Sequence, residues 1–184
     1  MTTIVGIAGS LRAGSLNAML LRAAAELAPP GTTIEIASIK DIPLYDGDLE
    51  AASGVPPQVQ ALKDRILRAS GVLLVTPEYN NSIPGVFKNA FDWLSRPPAD
   101  IPRVFGGRRV AVTGASPGAF GTLLSQTAWL QVLKTLGKLP WFGARLQVSR
   151  ADGVFDASGN LVEARVRDQL ASFVARFAAF CAGK

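Results

Sequence analysis

Apolar runs of strand length alternate along this chain with longer segments whose apolar residues recur every three or four positions. That alternation predicts a parallel sheet covered by helices on both faces. The first strand is expected at about Thr3 to Ala8. A helix from about Ser15 to Leu27 follows, carrying Leu16, Leu20, Ala23, Ala24 and Leu27 at helical spacing, until Pro29-Pro30-Gly31 stops it. A second strand is expected at Thr32 to Ser38. The stretch from Ile42 to Pro57, rich in Pro, Gly and Asp, reads as a long connection. It leads into a helix that begins at Pro56 or Pro57 and turns Val59, Leu62, Ile66 and Leu67 inward. Gly71 to Thr76 is apolar almost throughout, as suits a central strand buried on both sides. A helix near Gly85 to Ser95, a strand at Arg109 to Thr113 and a helix at Thr122 to Leu136 come next. A fifth strand at Trp141 to Val148 and a last helix at Glu163 to Cys181 complete the pattern. Five βα units without a break in composition, repeat or low-complexity segment predict one domain over residues 1–184. The expected fold class is α/β, a doubly wound five-stranded parallel sheet in three α/β/α layers, with strand order 2-1-3-4-5 favoured.

Ligands of such sheets sit beyond the carboxyl ends of the strands, where the strand order reverses. The loops after strands one, three and four are therefore the informative ones. The first, Gly9 to Asn17, supplies the hydroxyls of Ser10 and Ser15, the Arg12 guanidinium, the Asn17 amide and two glycines. Donors of that kind at a helix start make a phosphate site. Each hydrogen bond to a charged phosphate is worth roughly 1.5–3 kcal/mol, so four or five anchor a cofactor firmly. A serine N-cap on an ordinary helix accounts for Ser15 but not for Ser10, Arg12 and Asn17 together. Neither G-x-G-x-x-G nor a P-loop is present, and a hydroxyl-rich loop suits a terminal monophosphate better than a pyrophosphate.

The second loop, Thr76 to Gly85, contains Pro77, Glu78, Tyr79, Asn80 and Ser82, with Ser82 expected as an N-cap and Pro84 in the first helical turn. Tyr79 offers a flat surface, and Asn80 with nearby amides can reach the polar edge of a flat heterocycle. A capped turn with an exposed tyrosine accounts for the same residues. The third loop, Thr113 to Thr122, is glycine-rich, with Ser116 and Gly118 at its centre, so its backbone can pass close to a planar ligand. Phe120 could cover a ring or pack on the core.

Composition narrows the chemistry further. Histidine is absent and there is a single cysteine, Cys181. These counts remove Ser-His-Asp and Cys-His catalysis and the usual zinc ligands, and no metal site is expected. Cys181 lies in an apolar terminal helix and reads as a packing residue without a disulfide partner. The net charge of +5 is spread along the chain without a basic arm, so no nucleic-acid partner is expected. No stretch approaches the roughly 18 apolar residues of a membrane span, and the first residues lack the flanks of a signal peptide. The expected location is cytoplasmic, without membrane insertion.

At the three loops the sequence resembles the NAD(P)H-dependent FMN reductases, flavodoxin-like proteins that include quinone and chromate reductases. The stretches that carry the likeness are GSLRAGSLN (Gly9 to Asn17), PEYNNSIPGVFKNAFDWLSR (Pro77 to Arg96), Ser116-Pro117-Gly118 and the acidic DIPLYDGDL (Asp41 to Leu49). The resemblance covers nearly the whole chain. It implies that Ser10, Arg12, Ser15 and Asn17 hold the FMN phosphate. Pro77, Glu78, Tyr79, Asn80 and Ser82 would border the isoalloxazine and ribityl chain, with Ser116 and Gly118 on the other side. It further implies hydride transfer from NADPH or NADH through bound FMN to a small acceptor such as a quinone, free flavin, azo compound or chromate. No side chain is assigned as catalytic acid or base, because the chemistry belongs to flavin N5. A homodimer or homotetramer is implied, with the apolar surfaces of Val86, Phe87, Ala90, Phe91, Trp93 and Leu94, and of Leu123, Leu124, Trp129, Leu130 and Leu133, as candidate contacts. Two positions depart from the family pattern: Asn81, often aromatic or His in relatives, and Thr122, where paired glycines are common. The alternative is a flavodoxin-type electron carrier or flavin-binding regulator without nicotinamide reductase activity. Such carriers are typically acidic, whereas this chain is basic.

Overall fold

A computed structural model describes residues 1–183. The strands are β1 (Thr2–Ala8), β2 (Thr32–Ala37), β3 (Gly71–Val75), β4 (Arg109–Ala115), β5 (Leu139–Pro140) and β6 (Gln147–Val148). They run parallel in the order β2-β1-β3-β4-β5, and β6 also pairs with β4. The helices are α1 (Leu16–Glu26), α2 (Gly47–Ser53), α3 (Pro57–Arg68), α4 (Gly85–Leu94), α5 (Ile101–Phe105), α6 (Leu123–Thr135) and α7 (Ala164–Cys181), with a 3₁₀ turn at Pro98–Asp100. The period-two alternation of a strand divides the core in two. Ile4, Leu73 and Val75 point to one face and meet Leu20 and Leu21 of α1 and Phe173 and Phe177 of α7. Val5, Val72 and Leu74 point to the other and meet α3, α4 and α6 through Ile66, Phe87, Phe91 and Trp129. Every residue of β3 is buried, as its uninterrupted apolar sequence requires. Among the described residues no helix is long and apolar enough to cross a membrane.

Several elements differ from the pattern-based expectation. The Ile42–Pro57 connection contains α2, capped by Asp46, whose carboxylate accepts from the Asp48 amide at 2.8 Å. None of its residues is buried, so it carries no amphipathic stripe to reveal it. The fifth strand is not continuous over Trp141 to Val148. The ladder to β4 ends just past Pro140, where the Trp141 amide donates to the Val110 carbonyl at 2.7 Å and the Trp141 ring packs on Phe173 and Phe177 at 5.1 and 5.5 Å. Side chains close the gap, with Thr113 Oγ1 and Gln126 Nε2 donating to the Leu146 carbonyl.

The apolar excess of α4 needs no partner: Phe87, Ala90, Phe91, Trp93 and Leu94 are buried within the chain, leaving Val86 exposed. On α6, Trp129 and Leu133 are buried while Leu123 and Leu124 are exposed. Cys181 packs under Gly71, and burial pushes its thiol up to about 12, so it stays protonated and inert.

Candidate functional site

The chain crosses from one side of β1 to the other between β2 and β3, and the loops after β1, β3 and β4 meet at that reversal. They enclose a cleft of about 340 Å³ lined by Ser10, Arg12, Gly14, Ser15, Leu16, Asn17, Pro77, Glu78, Tyr79, Ala115, Ser116, Pro117 and Asp152. Asn80, Ser82 and Gly118 belong to the same loops but do not line it.

The first wall is the β1–α1 loop. Gly9 starts it because the backbone runs against Phe87: a Cβ at Gly9 would lie 2.1 Å from that ring. Ser15 is the N-cap of α1, its hydroxyl accepting from the Ala18 amide at 3.2 Å, and Ser10 Oγ accepts from the Arg12 amide at 3.3 Å. Among the described residues, the amides of Leu11, Ala13, Gly14, Leu16 and Asn17 donate to no protein acceptor. Arg12 has no ion pair among the same residues. Asn17 enters the site differently from the expectation. Its side chain donates to the Ala115 carbonyl and accepts from the Ala115 amide, both at 2.9 Å, tying α1 to the end of β4. Its backbone amide, at the helix start, has no protein acceptor among the described residues.

The second wall is a tight hairpin. Tyr79 and Ser82 exchange backbone hydrogen bonds of 3.2 and 3.0 Å around Asn80 and Asn81, whose φ angles are 50° and 61°. Two left-handed residues at the tip match a type I′ turn, and asparagine tolerates that conformation far better than an aromatic or β-branched residue. The hairpin displaces Ser82 from the expected N-cap role. Pro84 occupies that position without a side-chain cap bond, so α4 begins one residue later at Gly85. Glu78 is also engaged, accepting from the amides of Leu124 and Ser125 at the start of α6. Tyr79 is 46% exposed, leaving its ring face available at the cleft mouth.

The third wall holds Ser116 between two bonds: its amide donates to the Val148 carbonyl at 2.9 Å, and its hydroxyl accepts from the Gly118 amide at 3.1 Å. The strand entering this loop must contain Gly114, since a Cβ there would meet the Thr76 carbonyl at 2.0 Å. Phe120 is 77% exposed, which settles it outside the core. Thr122 is buried, and its hydroxyl accepts from Gln126 Nε2 at 3.0 Å. Asp152 lines the cleft without any signal in the sequence. It arrives because Ala151 donates to the Ser116 carbonyl, drawing the segment after β6 to the third loop. Among the described residues no group of His, Cys, Asp and Glu side chains is placed to hold a metal ion.

The donor set suits a phosphorylated flavin mononucleotide. Free amides at the start of α1, two hydroxyls and an unpaired guanidinium converge, and the Gly9–Asn17 loop contains no acidic residue to oppose a phosphate. Comparison with known proteins points the same way. The family model described as NADPH-dependent FMN reductase matches residues 2–151. The chain is 44% identical over 165 residues to an NAD(P)H-dependent FMN reductase of Pseudomonas aeruginosa, covering 90% of this chain and 87% of that protein. It is 38% identical over 177 residues to a 2-hydroxy-1,4-benzoquinone reductase of a Burkholderia species, covering 96% and 94%. Among solved structures, the flavoenzyme NAD(P)H:(acceptor) oxidoreductase FerB of Paracoccus denitrificans superposes with a TM-score of 0.88 at 33% identity, covering 100% of this chain and 98% of that one.

Proposed function

The chain belongs to the NADPH-dependent FMN reductase family, and from that premise we propose that its three-loop cleft seats FMN within a single domain and presents it to a small acceptor. The protein is an FMN-dependent oxidoreductase that draws its reducing equivalents from NADPH or NADH. FMN, when bound, supplies the hydride chemistry at its N5.

The residues of the chain bind and orient. Ser10, Arg12, Ser15 and the helix-start amides of Leu16 and Asn17 hold the phosphate. Pro77, Glu78 and Tyr79 border the ring and ribityl chain on one side and Ser116 on the other, while Asn80, Ser82 and Gly118 shape the turns of the same loops without lining the cleft. No side chain holds or moves a proton, so catalysis rests on positioning and on keeping one ring face open. The acceptor is a small molecule of the quinone type, in keeping with the quinone reductases among the relatives. A cytoplasmic homodimer or homotetramer fits the exposed Phe120, Leu123, Leu124 and Phe142, apolar side chains that a partner surface would cover.

The observation that carries this reading is the convergence of an acid-free, donor-rich helix start with two further loops on one cleft at the strand-order reversal. The test is an anaerobic absorbance spectrum of the FMN-reconstituted protein before and after one equivalent of NADPH. Bleaching of the flavin band is expected. A band that persists with both NADPH and NADH, yet yields to dithionite, would overturn the reductase reading in favour of an electron carrier.

A further inference from the structure

We propose that Glu78 is a positioning residue that fixes two walls of the cleft at once by capping a helix remote from it in sequence; the inference rests on the reading of that cleft as the flavin site. Glu78 Oε2 accepts from the Leu124 amide at 2.7 Å and the Ser125 amide at 3.0 Å. These are the second and third residues of α6, whose amides have no acceptor within the helix. The residue placed to cap them, Thr122, makes no side-chain cap bond. Its hydroxyl is engaged with Gln126 instead. The helix therefore depends for its cap on a carboxylate from the loop after β3, 46 positions earlier.

A second, buried connection lies beneath the first. Thr76 and Ser125 hydroxyls are 2.8 Å apart, and Trp129 Nε1 donates to Thr76 Oγ1 at 3.3 Å. Gly114 of β4 passes against both Thr76 and Thr122, so the loop after β3, the end of β4 and the first turn of α6 pack as one unit. The third loop ends where α6 begins. Anchoring that first turn consequently fixes the far end of the third loop as well as the near end of the second.

The same carboxylate also contributes a charge to the cleft, beside those of Arg12 and Asp152. It neutralises the positive end of α6. Its other oxygen, Oε1, accepts no hydrogen bond among the described residues, while Glu78 lines the cleft. A negative charge at the cleft wall opposes the extra charge of a reduced flavin, so Glu78 holds down the preference of the site for the reduced form.

Two variants separate these contributions. Glu78→Ala removes the cap and the charge, and the Kd for oxidised FMN is expected to rise about tenfold or more. Glu78→Gln keeps an oxygen for the two amides, loses the charge and turns the second oxygen into an amide donor. The ratio of the oxidised-FMN Kd to the reduced-FMN Kd is expected to increase about two- to fivefold in this variant. Hydrogen exchange of the Leu124 and Ser125 amides in the apo-protein reads the cap directly: protected in the wild type, faster in Glu78→Ala. If Glu78→Ala lowers the melting temperature but leaves FMN affinity unchanged and Glu78→Gln leaves the affinity ratio unchanged, the role is structural only and the proposal is overturned. Unprotected Leu124 and Ser125 amides in the wild type would also overturn it. A wild-type protein with these amides protected but without affinity for FMN would instead sink the flavin-site reading.

Discussion

The flank formed by α2, α3 and α5 and the cleft at the carboxyl ends of the strands treat polar groups in opposite ways. Around Lys63 and Glu50 on the flank, polar groups are paired with one another; Arg108 Nε and Lys138 Nζ, buried beside α5, are the exceptions. Lys63 is wholly buried, and its ammonium donates to Asp100 Oδ2 at 2.8 Å and to the Arg96 carbonyl. Arg96 reaches Glu50 at 2.7 Å and lies over the Tyr45 ring, while the Tyr45 hydroxyl donates to the same Glu50 carboxylate. Asn89 and Trp93 of α4 both donate to the Pro43 carbonyl, so the long connection is held down along its length. In the cleft, Arg12 and a row of amides are left without protein partners. Polar groups that tie the chain to itself stabilise the fold, and those left free at a helix start mark where a ligand belongs. The same residue types thus serve opposite ends, and their partners tell which.

Substitutions can break that contrast, beginning with the largest effect. Lys63→Ala removes one member of a buried ion pair and is expected to lower stability by about 3 kcal/mol in a urea melt. FMN affinity of the folded fraction should not change. Arg12→Ala is the converse. It should weaken FMN binding about ten- to hundredfold in a fluorescence titration. The urea midpoint should stay where it is, because Arg12 holds nothing else in place. Ser15 stands in both regimes, as N-cap of α1 and as part of the cleft. Ser15→Ala is expected to cost about 1 kcal/mol of stability and to weaken FMN a few-fold, so both assays should register it.

The smallest effect concerns acid. The Lys63 ammonium holds the Asp100 carboxyl below its usual range, and the Arg96 guanidinium does the same for Glu50. A carboxyl whose pKa is lower folded than unfolded stabilises the fold above its unfolded value. That contribution is lost as the pH falls through the folded value. Stability should therefore decline from about pH 5 downward, where unfolded carboxylates begin to take up protons. Lys63→Met should flatten that decline in thermal melts from pH 6 to pH 3. An unchanged slope would mean that the flank pairing contributes nothing to acid stability.

Much of this could be read from the sequence because the informative signals were local. Continuous apolar residues identified β3, and helical spacing identified α1, α3 and α7. The composition of three loops pointed to one cleft, and Ser10, Arg12, Ser15, Pro77, Tyr79 and Ser116 line it. What escaped is set by contacts distant in sequence. The pairing of Asn17 with Ala115 spans 98 positions, and Glu78 finds its partners on α6. Asp152 reaches the cleft through backbone bonds of its neighbour. The helix α2 escaped for a different reason, since a segment that buries nothing has no pattern to show. The divided fifth strand escaped because Trp141 and Leu146 look like strand residues until their side chains are seen to pack elsewhere.

That divided strand also bears on how copies of the chain can meet. A long, straight outer strand would offer a row of free amides and carbonyls on which a neighbouring molecule could extend the sheet indefinitely. Here the outer side of β4 is met by two dipeptides, with a proline in one and a looped-out hexapeptide between them. No continuous template remains on that side. Any contact between copies on that side would have to be made by side-chain surfaces rather than by extension of the sheet.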